Sequence, residues 1–564
     1  MLLVLLAAAT CQQCHPQIAA SYQHVSMSQT FGRVDARPSI EDFTHAEFFD
    51  NRTKQFFRVT RRDGRIFQQR FEKDEKGRPV RSFELEATHI VGSGKHARTY
   101  LHQSANGELV ELPLSWYSQE KRWAMSPGYN GFTRVIDPGC LFCHNAYPAG
   151  VRGEFAARPV WPANLPSGID CQRCHSATIH PKRPPPNRQM DICLQCHLQT
   201  TSGKLPHALR RFGKDVFSYR PDVPLDEYIL QFDRGPEDRF EVNSAGYRLL
   251  QSACFRKSGG KLVCTTCHNP HTAESVSSKA CLGCHAPRGE SANCIGCHMP
   301  KRRAEDAVHV TLTDHRITRR PPESKKAGLD FYRDYNLPPL ERALYLGLAL
   351  VTDGGVFPGD IPRGIRLLQS AVAQQPNAPV EARVGLARAL GQQGRSSEAL
   401  EQCEIVLVSR PELATVRAEC AKVLENMGRT AAALEEYRRA LKDSPDLPSA
   451  ALGIARSTTD ASEAEASYRV AARSLPARAE ALTNLGNLLT TQGEPAAARN
   501  ALEEALAIDP TLAEAENNLG RAIAAAGDLR GALPHLERAL LLKPDYVEAR
   551  LNRARVLQAL KKRP

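Results

Sequence analysis

Two cysteines three positions apart, with a histidine directly after the second, recur seven times along this chain. A thiol pair beside an imidazole can hold a haem, because the thiols form thioethers with its two vinyl groups and the histidine ligates the iron. The attachment cysteines are Cys11, Cys14, Cys140, Cys143, Cys171, Cys174, Cys193, Cys196, Cys264, Cys267, Cys281, Cys284, Cys294 and Cys297. The proximal histidines are His15, His144, His175, His197, His268, His285 and His298. The pattern therefore predicts seven c-type haems.

Two other uses of paired cysteines explain the pattern less well. The gap between Cys174 and Cys193 suits a four-cysteine zinc site, but zinc gives no reason for a histidine after every second cysteine. A thiol redox pair would need one or two motifs on a strand-helix unit, whereas this chain has seven scattered copies. Three cysteines remain outside the motifs. Cys403 and Cys420 are expected to be core residues rather than a disulfide. For Cys254 a core thiol is favoured over half of a disulfide or an unusual ligand.

The second axial ligand of each iron must come from elsewhere, and eleven histidines lie outside the motifs. His180 and His271 are too close to the histidine of their own motif to reach the opposite face of the same haem. We therefore expect them to reach a neighbouring haem, or to lie at the surface. His309 and His315 follow the last motif and are expected to return over haems bound earlier in the chain. Such crossed ligation would join haems into closely packed pairs.

The remaining candidate ligands are spread over the chain. His24 and Met27 compete for the first haem, and a methionine ligand would raise its reduction potential. His96 follows a Gly-Ser-Gly turn that could deliver it to a haem. Further candidates are His45, His89, His102 and His207.

Charge is distributed unevenly along the chain. Residues 331–564 contain 29 basic and 29 acidic side chains, so the net charge of +12 comes entirely from residues 1–330. A basic excess often indicates a nucleic-acid partner. Here the propionates of seven haems would need Arg and Lys beside them. We interpret the excess as internal compensation and predict no nucleic-acid binding.

The location is predicted from two independent features. Residues 1–10, MLLVLLAAAT, have the apolar core and small-residue end of an export signal but lack its basic start, so we expect a truncated signal-peptide-like segment. Haems of c type are attached outside the cytoplasm, so the motifs also predict a periplasmic or extracellular protein. The chain contains no run of eighteen apolar residues, and no transmembrane helix is predicted.

The C-terminal part of the chain is periodic. Prolines at 376, 411, 445, 476, 510 and 544 are 31 to 35 residues apart, which is typical of a repeat of two helices. Leu485-Gly486 and Leu519-Gly520 stand at matching positions of two copies and fit the tetratricopeptide (TPR) pattern. We predict an all-α TPR superhelix over 338–564, with a degenerate first repeat and a shortened copy between the third and fourth prolines. Its concave surface is expected to bind a protein, or to serve as a scaffold or dimerisation surface.

The N-terminal part, residues 11–320, is expected to be a haem-packed domain of short helices and loops. Within it, residues 52–123 alternate polar and apolar residues and predict a small antiparallel β insert. The expected turns are Asp63-Gly64, Lys76-Gly77 and Asn106-Gly107. Residues 321–337 contain Pro321-Pro322 and are expected to be a linker. The predicted fold class is therefore multidomain, a haem domain with a β insert followed by TPR helices.

The ordered runs GIDCQRCH, DICLQCHLQT, CTTCHNPH, CIGCHMPK and VHVTLTDHRI resemble multihaem c-type cytochromes with a C-terminal TPR domain. More remotely, the chain is similar to the grouping that includes hydroxylamine oxidoreductase and the ammonia-forming nitrite reductase. The close resemblance implies seven distal ligands: Met27, His45, His96, His180, His271, His309 and His315. No Cys-x-x-Cys-Lys motif is present, so the catalytic haem of the nitrite reductase is not carried over, and no counterpart of the tyrosine at the hydroxylamine-oxidising haem was located.

Two functions follow from this reading. In the first, seven low-spin haems transfer electrons, while the TPR concave surface docks a redox partner or organises an assembly, including a homo-oligomer. In the second, one haem keeps an open position and acts on a small nitrogen or sulfur species. The supply of ligands favours the electron carrier over the enzyme. A TPR adaptor with purely structural haems is disfavoured, because one or two haems would serve that purpose.

Overall fold

The computed structural model describes residues 11–562, except 52, 130–133, 149–154, 156–158, 176–184, 199, 201–207, 236–237, 275, 277, 286–292, 319–327 and 354–356. An N-terminal half of strands, short helices and loops precedes a C-terminal half of paired helices. Among the described residues, no helix combines the length and apolar character needed to cross a bilayer.

Two antiparallel sheets lie between the first and second motifs. The strands are β1 (Phe31–Arg33), β2 (Glu47–Asp50), β3 (Gln55–Arg62), β4 (Arg65–Lys73), β5 (Pro79–Ala87), β6 (His89–Val91), β7 (Ala97–Gln103), β8 (Leu109–Glu111), β9 (Leu114–Tyr117) and β10 (Arg122–Met125). One sheet has the order β2-β3-β4-β5, and the other has β1-β6-β7-β9-β10 with β8 beside β7. Hairpins join β3 to β4, β4 to β5 and β7 to β8, which confirms the three predicted turns.

The prediction of one small sheet over residues 52–123 is wrong in extent and number. Strands begin at Phe31, and the chain forms two sheets because alternate apolar residues of both face a shared core. Phe57 from the first sheet and Tyr100 and Trp123 from the second belong to that core. The buried amide of Gln68 links the sheets by hydrogen bonds to the backbone N–H and C=O of Leu114, each at 2.8 Å.

Glu111 in β8 is buried, and its carboxylate lies 2.8 Å from Arg134. Burial raises the pKa of Glu111 to about 7, against the partial opposition of Arg134. The folded state therefore binds a proton more tightly than the unfolded state, so this residue makes the protein less stable as pH rises from its ordinary pKa of 4.5 to about 7. Glu111→Gln should remove a pH-dependent loss in the free energy of unfolding on the order of 3 kcal/mol. Urea unfolding midpoints of the unmodified protein and of Glu111→Gln at pH 4.5 and 7.5 measure this loss. An equal change in midpoint with pH in the two proteins would contradict the raised pKa of Glu111.

The rest of the N-terminal half consists of short elements that carry or flank the motifs. The helices are α1 (Pro16–Tyr22), α2 (Pro138–Phe142), α3 (Pro186–His197), α4 (Ala245–Leu250), α5 (Ala253–Lys257), α6 (Lys279–Leu282) and α7 (Cys294–His298). The strands are β11 (Ala208–Arg210), β12 (Ile229–Asp233), β13 (Lys301–Arg303), β14 (Thr311–Thr313) and β15 (Asp330–Phe331). Asp137 and Asp170 cap the turns that begin at the second and third motifs by accepting backbone N–H bonds.

The C-terminal half is built from helix pairs. Its helices are α8 (Pro339–Asp353), α9 (Ile361–Gln374), α10 (Val380–Gln392), α11 (Ser396–Ser409), α12 (Ala414–Asn426), α13 (Thr430–Asp443), α14 (Pro448–Ser457), α15 (Ala461–Ala471), α16 (Leu475–Thr491), α17 (Pro495–Ile508), α18 (Ala513–Ala525), α19 (Leu529–Leu542) and α20 (Val547–Lys562). Glycine allows the helices of a pair to approach closely, since a Cβ on Gly486 would lie 2.4 Å from Leu502 Cγ. These features agree with the predicted superhelix of paired helices.

The segment expected as a linker, residues 321–337, is partly folded. Residues 321–327 lie outside the described residues, but Asp330 and Phe331 form β15, which pairs with β12 of the N-terminal half. Leu329 and Tyr335 are buried in a core that also contains Tyr345 of α8. The junction between the halves is therefore packed rather than extended.

Candidate functional site

One cavity of about 3590 Å³ lies within the N-terminal half. Six motifs line it with both cysteines and the histidine, and the second motif lines it with Cys143 and His144. Its volume is several times the roughly 300–1,000 Å³ of a site for one small cofactor. The cavity is thus sized for several cofactors rather than one.

The motifs form a continuous group around this cavity. Thiols of different motifs interact in pairs: Cys11 with Cys171, Cys143 with Cys196, Cys193 with Cys264, and Cys281 with Cys294. Cys174 lies near Cys196, and Cys267 lies near Cys281, which connects these pairs. All seven motifs are therefore joined in one array, in which the fourth motif neighbours the second, third and fifth.

Two pairs of histidine rings lie close together, with their planes within 28° of parallel. The ring centres of His175 and His271 are 5.8 Å apart with planes 12° from parallel. Those of His268 and His315 are 6.1 Å apart with planes at 28°. If both histidines of a pair ligated one haem, they would hold it from two sides. Each pair joins a motif histidine to a candidate distal histidine from elsewhere in the sequence.

Local hydrogen bonds orient two of the imidazoles in the cavity. Nδ1 of His315 donates to the Thr313 carbonyl at 3.0 Å, which leaves Nε2 as the ring nitrogen with a lone pair. Nδ1 of His144 lies 2.6 Å from Thr30 Oγ1. A ligand histidine is commonly fixed in this way, with one nitrogen hydrogen-bonded and the other free for the metal.

Burial also favours the neutral form of these imidazoles. It lowers the pKa of His144 to about 4. It likewise lowers the pKa values of His175, His197, His268 and His315, with a further contribution at His175 from neighbouring His271. Neutral imidazole is the form that binds a metal.

Arg173, between the cysteines of the third motif, lines the cavity and is 1% exposed. One nitrogen donates to the Phe142 carbonyl at 2.7 Å, and the guanidinium lies 4.2 Å from the centre of the Phe142 ring. Among the described residues, its buried Nε and Nη1 have no hydrogen-bond partner. A buried guanidinium with free donors is costly unless an anion meets it. A haem propionate would satisfy these donors, so this residue fits the predicted cofactor.

The candidate distal ligands divide into two sets. His24, Met27, His96, His271 and His315 line the cavity. His45, His89, His102 and His309 are not among the lining residues. His180 and His207 lie outside the described residues.

Local structure explains why the second set does not reach the cavity. His45 is exposed just before β2, with Nδ1 3.1 Å from Thr44 Oγ1. His309 packs on Tyr117, and its Nδ1 lies 2.9 Å from Glu120. The two histidines of the sheet, His89 and His102, are held there by hydrogen bonds at Nδ1. His45 and His309 therefore do not line the cavity in this structure, and their role as distal ligands stays a prediction.

The cysteines outside the motifs occupy two different environments. Cys403 and Cys420 are free and buried in the core of the repeats, close to each other, as core thiols were expected to be. Cys254 is half-buried and lines the cavity near Cys267 and Cys281, so its prediction as a core thiol is wrong. Within the described residues, no group of three or more His, Cys, Asp or Glu side chains is arranged to hold a bare metal ion.

Sequence reasoning missed the residues that support the ligands. Arg173 was visible inside the motif CQRCH, but nothing in the sequence indicated that its guanidinium is buried. Thr30 is 114 positions from His144, so their contact needed the fold. The cluster of Arg248, Asp314 and their neighbours likewise joins residues far apart in sequence.

Comparisons with known proteins concern the repeats. Models described as tetratricopeptide repeat match residues 479–512 and 359–414, so the C-terminal region contains TPR repeats. A comparison with curated proteins found no match to this chain.

Solved structures similar to this chain include TPR proteins at low identity. A tetratricopeptide repeat protein from Parabacteroides merdae is 16% identical, with a TM-score of 0.33, covering 39% of this chain and 87% of that chain. The structure of pilF from Pseudomonas aeruginosa is 17% identical, with a TM-score of 0.34, covering 39% of this chain and 100% of that chain. The APC/C hetero-tetramer Cut9-Hcn1 is 16% identical, with a TM-score of 0.33, covering 38% of this chain. The match spans 42%, less than half, of the chain in that structure.

Proposed function

We propose that this chain is a multihaem c-type cytochrome that transfers electrons through seven covalently bound haems. When bound, the haems supply one-electron chemistry at iron, and the chain's residues hold and orient them. The motif cysteines attach the haems, and the motif histidines ligate them. Within the described residues, Met27, His96, His271 and His315 are the best distal ligands, and Arg173 binds a propionate.

One observation carries this proposal: all seven motif histidines line a single cavity, and two of them pair with a distant histidine. A set of isolated structural sites would not need a shared cavity. Electron transfer between haems does require them to be close, and a continuous array of motifs supports that closeness.

The TPR repeats support a role in protein binding or assembly. Because c-type haems are attached outside the cytoplasm, the protein would be exported to the periplasm or cell surface. There it would exchange electrons with a redox partner protein. An enzyme with one open-coordinated haem, acting on a small nitrogen or sulfur species, is the competing function, and the experiment below separates the two.

The test is the full chain produced with an export signal in a bacterium that matures c-type cytochromes. Intact mass should show seven added haems, and the electron paramagnetic resonance spectrum of the oxidised protein should contain only low-spin ferric haem. A protein without covalent haem would overturn the proposal. A stoichiometric high-spin signal would replace the carrier with the enzyme.

Two paired variants check the attachment sites. Cys264→Ser with Cys267→Ser should lower the mass by one haem. Cys403→Ser with Cys420→Ser changes a buried thiol pair of the repeats and should leave all haems in place. Equal haem content in both variants would contradict attachment at the fifth motif.

A further inference from the structure

Glu516 in α18 is fully buried, at 0% exposure, yet its cation comes from the other half of the chain. Oε1 forms an ion pair with Nη2 of Arg81 in β5 at 2.6 Å, and Oε2 lies 2.9 Å from Nδ1 of His535 in α19. A buried carboxylate is strongly unfavourable unless it is paired. The sheet therefore supplies a permanently charged partner for this side chain, in addition to His535 of the repeats.

The β4–β5 hairpin that carries this arginine makes further contacts with the same repeats. Glu72 accepts a hydrogen bond from Arg538 in α19 at 2.7 Å. Arg70 is 5% exposed and donates to the Ala507 carbonyl at the end of α17, and burial lowers the pKa of Arg70 to about 10. Phe83 packs against the hydrophobic core of the repeats. The contact thus combines buried charge, a backbone hydrogen bond and apolar packing.

A second contact is made by the β7–β8 turn at the start of α16. Glu108, at 2% exposure, accepts hydrogen bonds from Ser474 Oγ at 2.5 Å and from the Leu475 backbone N–H at 3.1 Å. Asn106 donates to the Arg473 carbonyl at 2.8 Å. A carboxylate is favoured at a helix N-terminus, where backbone N–H groups lack partners within the helix. The N-terminal half therefore caps a helix of the repeats.

Contacts continue toward the first repeats. Thr415 in α12 donates to the Phe155 carbonyl at 2.5 Å. In α8, Glu341 pairs with Arg211 at 2.8 Å, and the Tyr345 hydroxyl accepts from the Phe212 backbone N–H at 2.7 Å. The N-terminal half thus touches the repeats from α8 to α19.

We infer that the β4–β5 hairpin is a ligand of the C-terminal repeats within the same chain, held by Arg81 and Glu516. The repeats act as a clamp on the N-terminal half, and the surface around Glu516 is closed to another protein while the hairpin is docked. If the chain is the electron carrier proposed above, its redox partner therefore binds elsewhere; this last consequence rests on the proposed function.

Hydrogen exchange of the full, exported chain tests the clamp. Arg81→Ala should speed exchange in α18 and α19, and Glu516→Gln should speed exchange in β4 and β5, each by about tenfold or more. The reciprocal effect follows because each variant removes one side of a shared buried contact. Exchange in α12 and α13 should stay unchanged, which distinguishes undocking from global unfolding.

Glu514→Gln is the matched control, since Glu514 lies on the same helix, is 50% exposed in its side chain and pairs with Lys543 at 3.1 Å. It should leave exchange in the hairpin unchanged. Effects confined to the mutated half would overturn the inference. If Glu516→Gln does not fold, Glu108→Gln tests the second contact through exchange at the start of α16. Intact mass counts haems in every variant, so a failure of the proposed cofactor is recorded separately.

Discussion

Replacement of His271 by alanine is expected to convert one of seven haems from low spin to high spin. The affected haem should be the one attached at Cys171 and Cys174, because His271 lies beside the histidine of that motif, His175, at 5.8 Å between ring centres. Removal of one strong axial ligand leaves the iron five-coordinate or bound to water, which favours the high-spin state. Electron paramagnetic resonance of the oxidised protein measures the change.

The haem that changes can be identified by a combined variant. If His271→Ala is made together with Cys171→Ser and Cys174→Ser, the high-spin signal should disappear with the haem. Its persistence would mean that His271 ligates a different haem. His45→Ala is the control, because His45 is exposed and does not line the cavity, and its spectrum should match that of the unmodified protein.

The local patterns of the sequence predicted the helix pairs and the hairpins. Repeat spacing and the Leu485-Gly486 step specify how one helix packs on the next, and the Asp63-Gly64 turn has the positive backbone angles, φ 49° and 78°, that a tight hairpin needs. Both depend on residues near one another in the chain. Such features can be read from a sequence without knowledge of the fold.

The candidate site was predictable only in part. The motifs are local, so a cofactor class and its motif ligands could be proposed from the sequence alone. The choice among distal candidates depends on contacts such as His268 with His315, which are 47 positions apart. Spacing alone did not show that His315 lines the cavity and His309 does not. The two sheets and the clamp also depend on long-range pairing, because residues such as Arg81 and Glu516 meet only after both halves have folded.

Loss of the Arg248 guanidinium is expected to destabilise the N-terminal half by about 3–5 kcal/mol. Arg248 is 1% exposed, and its Nε and Nη2 donate to the two oxygens of Asp314, each at 2.5 Å. Nη2 also donates to Asp238 at 3.0 Å. Arg302 and Arg316 donate to the same Asp238 carboxylate. Arg248→Ala would leave the buried Asp314 carboxylate with a weaker partner and create a cavity. Urea denaturation followed by circular dichroism measures the loss.

The size of this effect distinguishes a buried network from a surface ion pair. Arg333→Ala is the matched control, because Arg333 and its partner Asp226 have side chains 46% and 44% exposed, and such a pair contributes about 1 kcal/mol or less. Arg248→Lys should be intermediate, since it keeps the charge but cannot donate two parallel hydrogen bonds to one carboxylate. Equal losses for Arg248→Ala and Arg333→Ala would mean that the cluster does not stabilise the half. A larger loss at Arg248 would show that the buried network stabilises the N-terminal half.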